Sequence, residues 1–267
     1  MRNLKIFAIF AAVMALSACS GNGARREAAA ALVENARELV AAHQYDSALV
    51  VLDTLNVKYR DCLDQRQDGT RVRLEALAAL TRDSIAAAEL QLRAVNLEVD
   101  SLAPQFKKID VAGTDGYYVD KNVYTGNEMA STGIQVRVDD KGYCFLVANV
   151  AGRRIGLERI ALGNISTPAA KCIDVEGSEI MSVTQEQAAD LLNALSQTSG
   201  KAALTLVGSK GKADVSLNSK QLQSIAETWR YARGLQQRRA LSIRLEKLER
   251  QLAKLSDQQA SLIPTTE

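Results

Sequence analysis

Apolar residues recur at alternating spacings of four and three along residues 74–102, and this heptad pattern predicts one long helix. The positions of this first series are Leu74, Ala78, Thr81, Ile85, Ala88, Leu92, Val95, Val99 and Leu102. A second series lies near the C-terminus, at Leu241, Leu245, Leu248, Leu252, Leu255 and Leu262. We therefore predict long helices within residues 67–103 and 219–267.

Between these helices the period changes from helical to alternating. Residues 134–138 and 143–147 form one predicted hairpin, and residues 203–207 and 213–217 form a second one. The strand at 143–147 is apolar on both faces, which predicts a central strand that is covered on both sides. Thr184 and Gln187 have the spacing of a capping box at the start of one short helix. Residues 104–218 are thus predicted to be an antiparallel β domain with one short helix.

The segment 25–66 has the pattern of a helical hairpin. Its small and aliphatic positions resemble one tetratricopeptide repeat, and they are Ala36, Leu39, Tyr45, Ala48, Leu52 and Leu55. Asn35 and Arg60 depart from the pattern of that family, and no second copy follows. Solenoids need about three repeats to bury a continuous core, so the pair must pack on another part of the chain. Its outer face carries Leu32, Leu39 and Leu52, and we expect these residues either to pack on the stalk or to bind a protein partner.

These elements define an α+β fold: a helical hairpin, a long helix, a central antiparallel β domain and a C-terminal long helix. The two heptad series flank one domain, so we expect them to pair within the chain as an antiparallel coiled-coil stalk. Pairing within one chain has the lower entropic cost because the β domain tethers both helices. Pairing of each series with its copy in a second molecule is the alternative.

The N-terminus has the order of a bacterial export signal. Arg2 and Lys5 precede an apolar run of 11 residues, which is shorter than the ~20 residues that span a bilayer. The run ends in Leu16-Ser17-Ala18-Cys19, which resembles the lipobox of bacterial lipoproteins. That resemblance implies removal of residues 1–18, acylation of Cys19 and a lipid-anchored linker at 19–24. An ordinary secretory signal with a chance cysteine is the alternative.

Charge and the residues after the lipobox predict the location. The formal net charge is +2, and loss of Arg2 and Lys5 would leave the mature chain neutral. A neutral chain lacks the basic excess that attracts nucleic acid, so membrane binding would rest on the lipid anchor. Ser20, beside the lipobox cysteine, is not the aspartate that retains lipoproteins at the inner membrane. We therefore expect the outer membrane of the cell envelope, on the periplasmic face.

Three further cysteines follow the lipobox, at Cys62, Cys144 and Cys172. Cys144 and Cys172 lie in strand-like stretches of the same region, so they are the candidate disulfide if one forms. The alternative is that all three are small buried apolar side chains.

Four Asp-Ser or Asp-Thr dipeptides continue with a small aliphatic residue, and their hydroxyl residues are Ser47, Thr54, Ser84 and Ser101. These sites resemble the acceptor sequence for O-glycosylation of exported proteins in Bacteroidota. An amphipathic helix also supplies an apolar residue at the third position, which is the alternative explanation.

No cluster of reactive residues indicates catalysis. His43 is the only histidine, and it has no serine, cysteine or carboxylate cluster nearby in the sequence, so we predict no metal site and no cofactor. The layout resembles that of envelope lipoproteins of Bacteroidota. We predict a non-catalytic structural or protein-interaction module with an envelope protein as its partner. The alternatives are a ligand- or glycan-binding lipoprotein that uses the β domain, and a hydrolase.

Overall fold

The structure is a computed structural model that describes residues 22–111, 113, 115–126 and 130–262. Within these residues the helices are Asn22–Ala41 (α1), Tyr45–Lys58 (α2), Leu63–Leu102 (α3), Gln185–Gln197 (α4) and Ser219–Ser261 (α5). The strands are Phe106–Ile109 (β1), Tyr117–Asp120 (β2), Gly133–Val138 (β3), Cys144–Ala151 (β4), Leu157–Leu162 (β5), Ile165–Ser166 (β6), Cys172–Val175 (β7), Ser178–Thr184 (β8), Ala202–Gly208 (β9) and Gly211–Leu217 (β10). All strand pairs are antiparallel, and the predicted α+β class is confirmed. The described chain divides into two compact units, residues 22–89 with 244–262 and residues within 90–243.

In the first unit, α1 and α2 form the predicted hairpin and pack on the first part of α3. Their shared core consists of Ala29, Val33, Ala36, Ala48, Val51, Leu52, Leu55, Cys62 and Val72. Gly69 permits a close approach, because a Cβ atom there would lie 2.5 Å from the Cδ2 atom of Leu55. The guanidinium of Arg25 donates to both carboxylate oxygens of Asp61, which ties the start of α1 to the segment after α2.

Two predicted boundaries in this unit were wrong. Helix α1 already includes Asn22, which lies inside the segment 19–24 that we expected to be a linker. Helix α3 begins at Leu63 rather than near residue 67, and Gly69 lies within it. The helix continues through this glycine because the leucines of α2 pack directly against its backbone, which offsets the weak helix propensity of glycine.

The two heptad series also meet within the first unit. Leu74 and Ala78 of α3 form a buried cluster with Leu255 of α5. The guanidinium of Arg71 donates to the backbone carbonyl of Leu262 at 3.3 Å. Residues near the start of α3 therefore lie beside residues near the end of α5.

The second unit contains two antiparallel sheets. The first has the order β1-β2-β3-β4-β8-β7, and the second has the order β10-β9-β5-β6. Strand β4 is central and buried over most of its length, as its apolar sequence predicted. Both predicted hairpins are present, and Thr184 and Gln187 form the predicted capping box of α4. Strand β1 was not predicted.

One core joins the sheets to the helices of the second unit. It includes Leu146, Met181, Ile160, Leu204 and Leu206 of the sheets with Leu191, Leu195, Trp229 and Ala232 of α4 and α5. The indole Nε1 of Trp229 donates to Asn193 at 3.0 Å, which holds α5 against α4.

Among the described residues, no helix combines the length and the apolar character needed to cross a bilayer.

Candidate binding cleft

The second unit contains a cleft of about 330 Å³. Its walls come from β2 and the segment that leads to β3, from β3 and β4, from the end of β10 and from the first turns of α5. Its polar lining residues are Asp120, Thr125, Ser131, Thr132, Gln135, Arg137, Asn149, Asp214, Ser216, Gln221, Ser224 and Thr228. A cleft of this size, on a rigid frame and with converging polar groups, is a candidate ligand site.

One wall follows the edge of β3. Every residue from 131 to 137 lines the cleft. Successive side chains of a strand point to opposite faces, so a cleft that meets all of them lies at the edge of the strand and not on one face. Strand β3 pairs with β4 from Gly133 to Val138 on one side. On its other side it pairs with β2 at Val138, opposite Tyr118. The cleft therefore runs along the part of the β3 edge where β2 has already diverged.

The opposite wall includes the edge of β10. This strand is the end strand of the second sheet and pairs with β9 over its whole length, from Gly211 to Leu217. Residues 214–217 line the cleft consecutively. The cleft therefore follows the edge of β10 as well as that of β3.

The first turns of α5 line part of the cleft. Asn218 caps this helix: its side chain accepts the backbone N–H of Gln221, and the Gln221 side chain accepts the backbone N–H of Asn218, both at 2.9 Å. Gln221, Ser224 and Thr228 follow at helical spacing and share the face toward the cleft. Thr228 is 1% exposed, and its hydroxyl donates to the carbonyl of Ser224 at 2.7 Å.

Buried polar side chains hold the segment before β3. The Asn149 amide nitrogen donates to the carbonyl of Ser131 at 2.7 Å, and the Thr132 hydroxyl accepts the backbone N–H of Ala151 at 3.1 Å. The carboxylate of Asp120, which is 4% exposed, accepts the backbone N–H of Asn122 at 2.8 Å. These bonds fix the positions of the polar groups along the β3 wall.

Two carboxylates and one guanidinium supply the charge of the cleft. The guanidinium of Arg137 lies 4.3 Å from the ring centroid of Tyr117, and its Nε donates to Gln135 at 2.6 Å. Asp214 accepts the hydroxyl of Thr205 on the adjacent strand at 3.0 Å. Asp120 and Asp214 outnumber Arg137, so the lining has a net negative charge.

The lining supports binding through hydrogen bonds and charge. His43 lies in the other unit, where its Nδ1 is 2.7 Å from the Tyr45 hydroxyl. Within the described ranges, no group of three or more histidine, cysteine or acidic side chains is arranged to hold a metal ion.

The structure packs the three leucines of the expected partner surface in or against the core of the hairpin. Leu32 and Leu39 are half-buried and pack against the core of the hairpin. Leu52 is 1% exposed within that core and lies beside Gly69 of α3, so it packs on the long helix and is not available to a partner. Helix α3 covers the side of α2 that an isolated hairpin would expose.

The expected disulfide is not formed, since Cys144 and Cys172 are both free. Strand β8 separates the two strands, and Cys172 lies opposite Met181, which lies opposite Ala148. Two strand spacings and four residues of rise separate the Cα atoms by on the order of 17 Å. A disulfide needs a Cα separation below about 7 Å, so this pairing was wrong.

The proposed modification sites differ in their surroundings. The four candidate O-glycosylation residues all lie in helices. Ser47 and Ser101 are exposed, whereas Thr54 and Ser84 are half-buried. The hydroxyls of Thr54, Ser84 and Ser101 donate to carbonyls three or four residues earlier in their helices. Cys19, the signal peptide and most of the linker lie outside the described residues.

The cleft was missed by sequence reasoning, although one signal was present. Gln221, Ser224 and Thr228 form a polar stripe beside the apolar stripe of Leu222, Ile225 and Trp229 on the same helix. The two walls gave no such signal, because the edge position of a strand depends on pairing with distant residues.

Comparison of the chain with protein-family models, with curated proteins and with solved structures found no match.

Proposed function

We propose that the chain is a non-catalytic binding protein and that its cleft holds a polar ligand. The observation that carries this proposal is the lining of the cleft, where fixed hydroxyl, amide and carboxylate groups converge along two strand edges and one helix. Asn149, Ser224 and Thr228 are almost fully buried there. Burial of polar groups is costly unless they are hydrogen-bonded, and a polar ligand would supply further partners.

The ligand would be bound at the cell envelope. This part of the proposal rests on the lipobox, with Cys19 acylated and the chain anchored in the outer membrane on its periplasmic face. Substitution Cys19→Ala should release the protein from membranes or stop its processing. A variant that fractionates like the parent would contradict the anchor without affecting the proposed cleft.

Occupancy of the cleft can be tested before the ligand is identified. In a Cys172→Ala background, Cys62 and Cys144 are buried, so a new exposed cysteine is the principal site for N-ethylmaleimide. Ser216 is exposed and lines the cleft, whereas Lys212 is exposed on the same strand beyond the lining residues. Ser216→Cys and Lys212→Cys are therefore matched reporters.

We expect the Ser216→Cys variant to be alkylated several-fold more slowly in intact cells than after purification. For the Lys212→Cys variant, the alkylation rate in cells should differ from the rate of the purified protein only by the factor for entry of the reagent, which is common to both variants. If the ratio of the rate in cells to the rate after purification is the same for both variants, the proposal is overturned, because a bound ligand must shield only the residue in the cleft.

A structural role is the second candidate function, and the cluster of Leu74, Ala78 and Leu255 supports it. We propose that α3 and α5 pair as an antiparallel coiled coil that forms a stalk, as their heptad series predict. An envelope protein would then be the partner of the stalk or hairpin. A cysteine crosslink between the two helices tests the pairing itself.

A further inference from the structure

The register of the β9–β10 hairpin determines which backbone groups of β10 face away from its partner. Gly208 and Gly211 are paired and flank the two-residue turn at Ser209 and Lys210, so they form a hydrogen-bonded pair. Hydrogen-bonded and non-hydrogen-bonded pairs alternate along an antiparallel ladder. The outward amides and carbonyls of β10 therefore belong to Lys212, Asp214 and Ser216, and the last two line the cleft.

The same reasoning applies to the opposite wall. The backbone N–H of Asp139 donates to the carbonyl of Tyr143 at 3.0 Å, which fixes the alternation in the β3–β4 hairpin. Ile134, Val136 and Val138 therefore direct their backbone groups away from β4. Among them, Val138 is the one that faces a partner residue in β2, while Ile134 and Val136 line the cleft.

Two strand edges thus border one cleft, each with backbone groups that point away from its own ladder. Edges of this kind are the sites at which extended peptides add as a further strand. A small polar molecule would use the side chains of the cleft but would leave these rows of backbone groups without a strand partner.

We propose that the ligand of the cleft is an extended polypeptide segment of another protein, which pairs with the edge of β10 at Asp214 and Ser216. The inference rests on the proposed function, since it names the ligand class of the same cleft. Asp214 and Ser216 each direct one N–H and one C=O group outward, which allows up to four main-chain hydrogen bonds to the added strand. Affinity then comes from the backbone, and the side chains of the cleft select the sequence.

Charge indicates what the added strand carries. Asp214 lies on the exposed face of β10, and Asp120 lies on the opposite wall. The one guanidinium of the lining, on Arg137, is stacked on Tyr117 and bonded to Gln135. A strand with a lysine or arginine opposite Asp214 therefore complements the cleft, because opposite charges on facing strands attract each other.

The first experiment uses a defined probe with the purified full-length protein. The probe is a nine-residue peptide of alternating valine and lysine, acetylated and amidated at its ends. We expect binding to slow the hydrogen exchange of the Asp214 and Ser216 amides at least tenfold. The Lys212 amide points to the same side but lies beyond the cleft lining, so its exchange should change less.

Methylation of the probe backbone separates strand pairing from attraction between charges. A peptide with the same sequence that is N-methylated at every residue keeps every lysine but loses the backbone donors on both edges. Both edges must be blocked because either edge of the probe can face β10. This probe should lose at least tenfold in affinity. Equal binding of the two peptides, or binding without protection at Asp214 and Ser216, would overturn the proposal.

Proline substitutions provide the matched test on the protein. Ser216→Pro removes one outward N–H in the cleft, and Lys212→Pro removes one on the same edge beyond the lining residues. Proline is tolerated on edge strands when its missing N–H faces outward. We expect Ser216→Pro to weaken peptide binding at least tenfold and Lys212→Pro to leave it unchanged. If both variants keep the parent affinity, β10 is not the pairing edge and the proposal fails.

A photo-crosslinking residue in place of Ser216 distinguishes this inference from the proposed function. In intact cells, mass spectrometry of the adduct should identify a polypeptide segment. An adduct of small mass, together with slow alkylation of Ser216→Cys in cells, would overturn the strand proposal while the binding function stands. Unprotected Ser216→Cys in cells would instead remove both proposals.

Discussion

Glu179 on β8 accepts the backbone N–H of Leu157 on β5 at 3.2 Å, so one carboxylate links the two sheets of the second unit. The same side chain accepts the N–H groups of Ile155 at 3.0 Å and Gly156 at 2.9 Å. Glu179 lies in a largely buried position, where charge-assisted bonds to backbone donors are strong. The walls of the cleft belong to different sheets, so this link helps to hold the frame on which the cleft is built.

Replacement of Glu179 should destabilise the chain, because three backbone N–H groups would lose their acceptor. We expect Glu179→Ala to lower the free energy of unfolding by about 2–4 kcal/mol, because it leaves buried N–H groups without an acceptor. Glu179→Gln keeps one acceptor oxygen and should cost less. Glu158→Gln, at an exposed position on β5, is the control and should change the stability little. Chemical denaturation measures the difference, and equal effects of Glu179→Ala and Glu158→Gln would contradict the structural role.

Local patterns predicted most of the elements because their causes are local. The continuous apolar run of β4 reflects burial on both faces, and the Thr184–Gln187 capping box is formed within one turn. Strand β1 was missed because its four residues carry two central lysines and pair only with β2 within the described chain. Phe106 of β1 stacks on Tyr231 at 4.3 Å between ring centroids, a contact that no local pattern reveals.

The candidate cleft could not be predicted for a related reason. Its walls depend on β10 being an end strand and on β2 diverging from β3 after one pair. Both features arise from pairing between distant segments. The same limit applied to the proposed disulfide, since residues in neighbouring strand-like stretches came to lie on either side of β8. Whether a segment forms a strand depends mainly on its own residues, whereas the order of the strands in a sheet depends on pairing with distant segments.

Gly234 permits close packing of α5 on α3 within the second unit. A Cβ atom at this position would lie 2.8 Å from the Cγ2 atom of Val99. Alanine would gain up to about 1 kcal/mol of helix propensity, but overpacking costs about 1–3 kcal/mol. We therefore expect Gly234→Ala to lower the free energy of unfolding by about 1 kcal/mol.

A second substitution tests the cause of that loss. Val99→Ala removes the methyl group that the new Cβ would meet, so the double variant should be more stable than the sum of the two single effects by about 1 kcal/mol. Gly23→Ala is the matched control, because a Cβ there would meet no atom within 4 Å. If the single effects simply add, then the contact between Val99 and Gly234 does not limit the residue at position 234.

A crosslink between Leu74→Cys and Leu255→Cys tests the proposed pairing of the two heptad helices. Both residues belong to one buried cluster, so a disulfide or a short bifunctional reagent should join them within one chain in dilute protein. Leu255→Ala should cost about 2–5 kcal/mol, as large-to-small changes at buried leucines do. Electrophoresis without reducing agent separates the crosslinked monomer from dimers.

The control for this crosslink uses Leu63→Cys with Leu255→Cys. Leu63 is exposed and lies about 16 Å along α3 from Leu74, given the helical rise of ~1.5 Å per residue. This pair should not form the short crosslink. Products of dimer size alone from the Leu74 and Leu255 pair would contradict the intrachain coiled coil and would favour pairing between two molecules.

Burial of Cys144 predicts a specific dependence of stability on alkaline pH. Burial raises the pKa of the Cys144 thiol to about 12. In the unfolded chain this thiol ionises near its ordinary pKa of about 8.5. Below that pH both states are protonated and the contribution of Cys144 is fully present. As the pH rises toward 12, only the unfolded state loses the proton, so the folded state loses stability on the order of 1 kcal/mol per pH unit.

The comparison of variants isolates this group from tyrosines and lysines that titrate in the same range. Cys144→Ala creates a small cavity and should lower stability by a similar amount at every pH, but the fall in its stability above pH 9 should be less steep than in the parent. Cys172→Ala, at a half-buried position on β7, is the matched cysteine variant. Denaturation at several pH values between 7 and 10.5 measures both slopes. Parallel curves for Cys144→Ala and the parent would mean that the thiol of Cys144 reaches water before the chain unfolds.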